Sequence, residues 1–441
     1  MEIKTGVKSG RPTAAVHNLG CKANAYESEA MAGMLRDAGY TIVPFQEKAD
    51  VYVVNTCTVT NIADRKSRQM LHRARRLNPD ALIVAVGCYV QTHREQLEED
   101  ADVDLLIGTN CKSQLVEMIR QASGASCITD VSAPSAYENL PAYPVQDRCR
   151  AVLKIQDGCN QFCSYCAIPL ARGRVRSRDP GDVLAEACML AGKGYKEIVL
   201  TGIHLCSYGL DFPAQKSSPE KPMQALIDLI GELSAIPGIA RIRLGSLEPG
   251  SMTDDVIRQL AGIPAVCQHF HLSLQSGCDA TLKRMNRRYT SDEFRHVCDC
   301  LRACYKDPTL TTDVIVGFPG EDEEEFKETY RFLEEIRFYH THIFKYSRRD
   351  GTRAASMPGQ VPEAVKTERA RVLGELDRQM KEMFRGLYEG RSAEVLIEEK
   401  REDGLWTGHT AGYLKAAMTG DNLKSNELAA GTIGKEIRLI D

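Results

Sequence analysis

The sequence predicts an α/β protein in three parts: an N-terminal open parallel sheet, a partial (β/α)6 barrel and a small C-terminal β-barrel. Three observations lead there. Short apolar runs alternate with helical patterns over 13–122 and again over 149–347, as strands joined by crossover helices do. A stretch rich in Pro, Ser and Ala at 123–148 separates the two and reads as a linker. Beyond a charged helical stretch, the C-terminal residues become β-like and Gly-punctuated. At 441 residues the chain exceeds what one hydrophobic core ordinarily serves.

In the first part, Ala14-Ala-Val16, Val51-Tyr-Val-Val54 and Leu82-Ile-Val-Ala-Val86 read as buried parallel strands, with helices from Tyr26, Ile62 and about Gln91. Cys21 comes shortly after the first strand, Cys57 after the second and Cys88 after the third. Strand-to-helix loops of an open parallel sheet share one edge, where ligands collect. One such cysteine would be an ordinary buried thiol. Three at equivalent positions point to a metal site.

In the second part, strands are expected at 152–156, 197–201, 241–246, 269–274, 310–316 and 342–346. Helices at 182–191, 225–235 and 322–336 fall between them. Six such strands make an incomplete α/β barrel, which carries its chemistry on the C-terminal strand ends. The first strand is followed by Gly158-Cys-Asn-Gln-Phe-Cys-Ser-Tyr-Cys166. Cys159, Cys163 and Cys166 supply three thiolates, one fewer than a closed iron–sulfur cluster or structural zinc site needs. A metal corner is then open to a small molecule. A partial zinc site or scattered core thiols would give the same count.

In the third part, 362–388 favours helix, and β-like runs at 393–398 and 436–440 bracket Gly-rich turns. Composition sets limits on function. A hydrophobic content of 43% with 26% charged residues is that of a soluble globular protein. The first ten residues lack the apolar run of a signal peptide, and no stretch reaches membrane-spanning length, so a cytoplasmic location is expected. Sixteen cysteines in such a chain are expected as metal ligands or buried thiols, not disulfides. Cys298, Cys300 and Cys304 are expected as buried thiols of one helix. His269 and His271, like His340 and His342, alternate along strands, which suits packing or substrate-facing polarity better than metal binding. Net charge is −4, yet Arg65 to Arg76 holds six basic residues and no acid, and 172–178, 283–288 and Arg348-Arg349 add more. Such segregation predicts a phosphate-binding face, although each run alone could be a solvated helix face.

From about residue 13 onward the chain resembles the methylthiotransferases of the radical S-adenosylmethionine superfamily. The match rests on Leu19-Gly-Cys-Lys-Ala-Asn-Ala-Tyr-Glu-Ser-Glu29, Asn55-Thr-Cys57, Gly87-Cys88, the 158–166 loop and Ile168-Pro-Leu-Ala-Arg-Gly173. Leu200-Thr-Gly-Ile203, Arg243-Leu-Gly-Ser-Leu-Glu-Pro249, His271-Leu-Ser-Leu-Gln-Ser-Gly277 and Asp313-Val-Ile-Val-Gly-Phe-Pro-Gly-Glu321 extend it. The resemblance implies a methylthiotransferase domain over 13–122, the linker 123–148, a radical core over 149–375 and a TRAM RNA-binding domain over 376–441. It implies two [4Fe–4S] clusters, one on Cys159, Cys163 and Cys166 that binds S-adenosylmethionine, and an auxiliary one on Cys21, Cys57 and Cys88. It also implies cofactor contacts from Tyr165, Thr201, Gly202, Gln275, Asp313 and Gly317.

The stretch Cys57-Thr-Val-Thr-Asn-Ile-Ala-Asp-Arg-Lys-Ser-Arg-Gln69 looks like the branch that converts N6-threonylcarbamoyladenosine beside the tRNA anticodon to its 2-methylthio derivative. Branches acting on isopentenyladenosine or on a small-subunit ribosomal protein are the alternatives, with a zinc-dependent RNA-binding protein outside the class. The implied partners are a tRNA anticodon stem-loop and a flavodoxin- or ferredoxin-like electron donor, with no membrane. Trp406, Tyr413, Lys415 and the basic run from Arg65 are the candidate RNA contacts. Two departures stand out: Leu170 where the family commonly has tyrosine, and Gly412-Tyr-Leu-Lys-Ala-Ala in place of an asparagine-led ending.

Overall fold

Val51–Thr56 (β3) is buried at every position, as a strand covered on both faces must be. In the computed structural model, which describes residues 11–121, 126–133, 135–143, 149–213, 223–420 and 422–440, β3 is the middle strand of a five-stranded parallel sheet. The others are β1 (Thr13–Asn18), β2 (Thr41–Ile42), β4 (Leu82–Gly87) and β5 (Leu105–Ile107), in the order β2-β1-β3-β4-β5. Separate apolar clusters cover the two faces, one around Tyr52, Val54, Leu71 and Ile83, the other around Met31, Leu35, Val53 and Val84. Helix Lys22–Asp37 follows β1 and helix Asn61–Leu77 follows β3. The first starts earlier than its apolar pattern suggests, because Cys21 takes its N-cap position. Residues 1–10 and, of the expected linker, 123–125, 134 and 144–148 lie outside the described residues.

The chain divides into two units. One comprises Met1–Val145, Gln156–Arg178 and Ser347–Ala355, the other Gln146–Ile155, Asp179–Tyr346 and Ser356–Asp441. The cysteine loop therefore folds with the N-terminal sheet, although it follows β6 (Arg150–Lys154), the first strand of the barrel. Its two arms pair as β7 (Gln156–Asp157) and β8 (Arg176–Ser177), antiparallel.

In the second unit β6, β9 (Glu197–Thr201) and β10 (Arg241–Leu244) form one parallel sheet. β11 (His269–Gln275), β12 (Thr309–Val316) and β13 (His340–Lys345) form another. A parallel bridge from Leu247 to Leu272 joins them into the six strands of a partial α/β barrel. Alternation decides what each face carries. Phe270, Leu272, Leu274, Leu310, Val314 and Val316 point into a core shared with the helices, among them Phe294, Phe332 and Leu333. The intervening residues are left for the concave face. Helix Glu363–Tyr388 contributes Leu373, Leu376 and Met380 to the same core.

The tail is an antiparallel sheet of β14 (Ser392–Lys400), β15 (Trp406–Thr410), β16 (Lys415–Met418), β17 (Leu428–Thr432) and β18 (Ile437–Leu439), in the order β17-β14-β15-β16-β18. It docks on the N-terminal strand ends of the barrel. Buried Arg243 binds both carboxylate oxygens of Glu197 (2.7 and 3.2 Å) and donates to the carbonyls of Thr410 and Ala411. Arg241 donates to the carbonyls of Glu394 and His409. Two of the candidate RNA contacts are used in packing, one in this docking and one within the tail itself. The Tyr413 ring stacks on His409, lies 4.9 Å from His269 and sits under the guanidinium groups of Arg150 and Arg243. Trp406 packs on the small apolar core of the tail.

Candidate active site

Cys21, Cys57 and Cys88 follow β1, β3 and β4, three adjacent strands of the first unit. Register does most of the positioning. Asn18 pairs with Asn55 and Thr56 with Gly87, so the next residues along β3 and β4 are Cys57 and Cys88. Cys21 reaches them through the turn at Gly20. That glycine has φ +125°, and a Cβ there would lie 3.0 Å from both Cβ and Sγ of Cys57. Asn24 ties the turn down by donating to the carbonyls of Leu19 and Thr56 (3.0 Å each). Burial pushes the Cys57 thiol up to about 12, the Val59 backbone bond opposes this, and the charges of Cys88 and Cys21 add to it. Cys57 and Cys88 are buried and Cys21 is exposed on the same sheet edge, and three thiols brought to one edge are a donor set suited to iron. Ligation then has to displace their protons.

The residue that sequence reasoning quoted without a role is Arg172. Its side chain is fully buried and donates to Sγ of Cys88 (3.3 Å), to both oxygens of Glu27 (2.8 and 3.1 Å), to Asp157 (3.0 and 3.1 Å) and to Asn24 (2.7 Å). Burial alone would lower this guanidinium, but Asp157, Cys88 and Glu27 outweigh it and hold it charged. Buried Lys112 lies 3.5 Å from Glu27, and Arg176 lies 3.5 Å from Asp157. For Cys88 the largest effect is burial, which raises its thiol, and Arg172 opposes it. The loop that carries the second cysteine set is thereby fastened to the sheet edge that carries the first.

Cys159, Cys163 and Cys166 are half-buried in that loop. Gly158 has φ +68°, and any Cβ there would meet the Arg174 carbonyl at 1.8 Å, so the loop closes only with glycine. The Gln161 amide donates to Sγ of Cys159 (3.5 Å) and the Cys166 amide to the Cys163 carbonyl (3.0 Å). Phe162 turns the chain with φ +50° and lies under Arg174. Tyr165 is half-buried between the last two cysteines. Leu170 is exposed, against Gly351.

In the second unit the expected cofactor contacts fall on the C-terminal strand ends. Thr201 ends β9 and Gly202 follows it. Gln275 ends β11 with φ +68°, and Gly317 follows β12 with its amide bound to Glu321 (2.8 Å). Asp313 lies deeper, inside β12, paired with His271 at 3.2 Å. The helix thiols differ from expectation. Cys298 is buried, but Cys300 lies 3.4 Å from Asp254 and His296 near the surface and Cys304 is exposed, because one helix face alone meets the core. Of the basic run, Arg75 and Arg68 are engaged by Asp104 and Tyr89, while Arg65, Lys66, Arg73 and Arg76 are exposed.

Comparison with known proteins agrees with this arrangement. Residues 153–333 match the Radical SAM superfamily, and residues 13–108 match the family described as Uncharacterized protein family UPF0004. The fold recurs in the radical S-adenosylmethionine methyltransferase TsrM from Kitasatospora setae, with a TM-score of 0.53 at 14% identity over 78% of this chain and 74% of that one. Barrel, cysteine loop and superfamily match define the class as radical S-adenosylmethionine proteins. Over 417 residues the chain is 42% identical to threonylcarbamoyladenosine tRNA methylthiotransferase MtaB of Bacillus subtilis (strain 168), covering 92% of this chain and 90% of that protein. It is 37% identical to tRNA-2-methylthio-N(6)-dimethylallyladenosine synthase of Acetivibrio thermocellus, covering 93% of this chain and 85% of the other. The chain belongs to the MtaB-type radical S-adenosylmethionine methylthiotransferase family.

Proposed function

We propose that this protein converts N6-threonylcarbamoyladenosine beside the anticodon of tRNA to its 2-methylthio derivative. The single observation that carries this reading is 42% identity to a protein of that name across nine-tenths of both chains. The cofactors of the family are [4Fe–4S] clusters and S-adenosylmethionine. When bound, they supply one-electron cleavage of the sulfonium and a sulfur source for an adenine C2–H bond that acid and base leave untouched.

Two donor sets divide the work. Cys159, Cys163 and Cys166 hold the cluster that takes S-adenosylmethionine, with Thr201, Gly202, Gln275 and Gly317 on the strand ends, and Tyr165 and Asp313, binding that cofactor. Cys21, Cys57 and Cys88 hold the auxiliary cluster, whose Cys88 thiolate is met by Arg172. Each set would supply three of the four thiolates that a closed cluster takes. We assign 13–122 to the sulfur-handling domain, 149–375 to the radical core and 376–441 to a TRAM domain that contacts RNA. A flavodoxin- or ferredoxin-like protein supplies electrons. No described helix is long and apolar enough to cross a membrane.

The test is anaerobic turnover of tRNA bearing the threonylcarbamoyl group, with nucleosides read by mass spectrometry. Wild type should yield the methylthio nucleoside. The variant with Cys21, Cys57 and Cys88 all replaced by alanine should lose that product yet still cleave S-adenosylmethionine reductively. Product from the variant would overturn the division of roles, and none from wild type would overturn the assignment.

A further inference from the structure

One imidazole on the concave face of the barrel has both nitrogens uncommitted. Alternation and register put His271, Thr311, Asp313, His340 and His342 on this face: His271 pairs with Thr311, Thr311 with His340 and Asp313 with His342. Below them the barrel is closed, since His269 lies against Tyr413 and reaches Thr311 at 3.2 Å. The neighbours are spoken for. His271 binds Thr311 through Nδ1 (3.0 Å) and Asp313 through Nε2 (3.2 Å). His340 binds Asp377 through Nδ1 (3.0 Å). His342 is exposed, stands 4.3 Å from the His340 ring and 5.6 Å from the His271 ring, and makes no hydrogen bond among the described residues.

The two groups of relatives differ in what adenine N6 carries: a threonylcarbamoyl group in one, a dimethylallyl group in the other. The first ends in a carboxylate and a hydroxyl; the second is hydrocarbon. A cavity that received hydrocarbon against this face would leave the His342 imidazole desolvated and unpaired, which is costly. A polar substituent satisfies it. We propose that His342 is the specificity-determining residue of the site and donates a hydrogen bond to the carboxylate of the N6 substituent, with His271 and Asp313 fixing the floor beneath it. This rests on the function proposed above and adds to it the side chain that reads the substrate. His342 is held below the ordinary histidine value by desolvation against the neighbouring strands first and then by His340, with Asp313 opposing. An incoming carboxylate supplies the negative charge that favours its protonated form.

The experiment measures affinity of the unreduced holoenzyme for three labelled anticodon stem-loops, bearing threonylcarbamoyladenosine, adenosine or dimethylallyladenosine. Wild type should prefer the first over the second by about tenfold or more, the scale of one hydrogen bond to a charged group. His342→Phe should bring that ratio close to one and raise the relative affinity for the dimethylallyl stem-loop. His342→Gln, which keeps a donor, should recover part of the preference and decides the matter should the Phe variant fold poorly. A ratio unchanged in the variants overturns this inference, as does a wild-type ratio of one. Neither result touches the proposed activity, which stands or falls on the methylthio nucleoside measured in turnover.

Discussion

Arg172 shows how much a single side chain can hold together. It sits six residues past Cys166, yet its partners Glu27 and Cys88 lie 145 and 84 positions away. A fully buried guanidinium between two carboxylates is a poor source of net stability but a costly thing to break, because each carboxylate left behind is buried and keeps only a longer ionic contact, Glu27 with Lys112 and Asp157 with Arg176, at 3.5 Å each. Arg172→Met should therefore destabilise the protein by about 3–5 kcal/mol, read as a drop in the denaturant midpoint. Iron content should fall with it, because Cys88 and the Oδ1 of Asn24, whose amide steadies the turn at Cys21, both lose the Arg172 donor. Adding Glu27→Gln should restore part of the stability by removing one of the stranded charges. A single variant as stable as wild type would show that the network carries no such strain. None of this was legible in the sequence. The motif around Arg172 could be quoted, but hydrophobic periodicity says nothing about which distant acid a buried arginine will meet.

Elements were far more legible, for a physical reason: strands buried on both faces, such as β4, read as apolar runs, strands with one polar face, such as β11, read as alternation, and the six barrel strands appear within a few residues of their expected positions. Edges were also legible, since a parallel sheet sends every strand-to-helix loop to one side. What alternation could not supply was local backbone geometry. Gln275 ends β11 in the left-handed region, after a register shift between Leu272 and Gln275. An ordinary side chain in that conformation costs about 1–2 kcal/mol, and such outliers persist where surrounding structure needs them. Gln275→Gly should relieve most of that cost, raising the unfolding midpoint, while weakening affinity for S-adenosylmethionine measured by calorimetry on the holoenzyme. Opposite movement of the two quantities is the expected outcome. Were affinity unchanged, Gln275 would be a turn residue without a role in cofactor binding. Histidine alternation was likewise visible along β11 and β13, but which ring would keep its nitrogens free depended on Asp377, far along the chain.

For the whole molecule the telling feature is how the sixteen cysteines are placed, none of them in a disulfide. Six are assigned to iron. Of the others, Cys206, Cys267 and Cys298 are buried in the second unit, and burial pushes each of these thiols up to about 12. The unfolded chain releases the same protons near ~8.5. Between those limits the folded state binds more protons than the unfolded state, so stability must fall as pH rises. Below ~8.5 the contribution is whole; toward 12 it is lost. Each thiol contributes a slope of about 1.4 kcal/mol per pH unit across that window. Denaturation of the anaerobic holoenzyme at a series of pH values from 8 upward should thus show a steep alkaline decline. Cys298→Ala lowers stability at every pH by leaving a small cavity, but should make the decline shallower by one thiol's share. Cavity and linkage separate because only the second changes with pH. Identical slopes for wild type and variant would mean that the Cys298 thiol keeps the same proton affinity in both states, and that its burial in the barrel core has no electrostatic consequence.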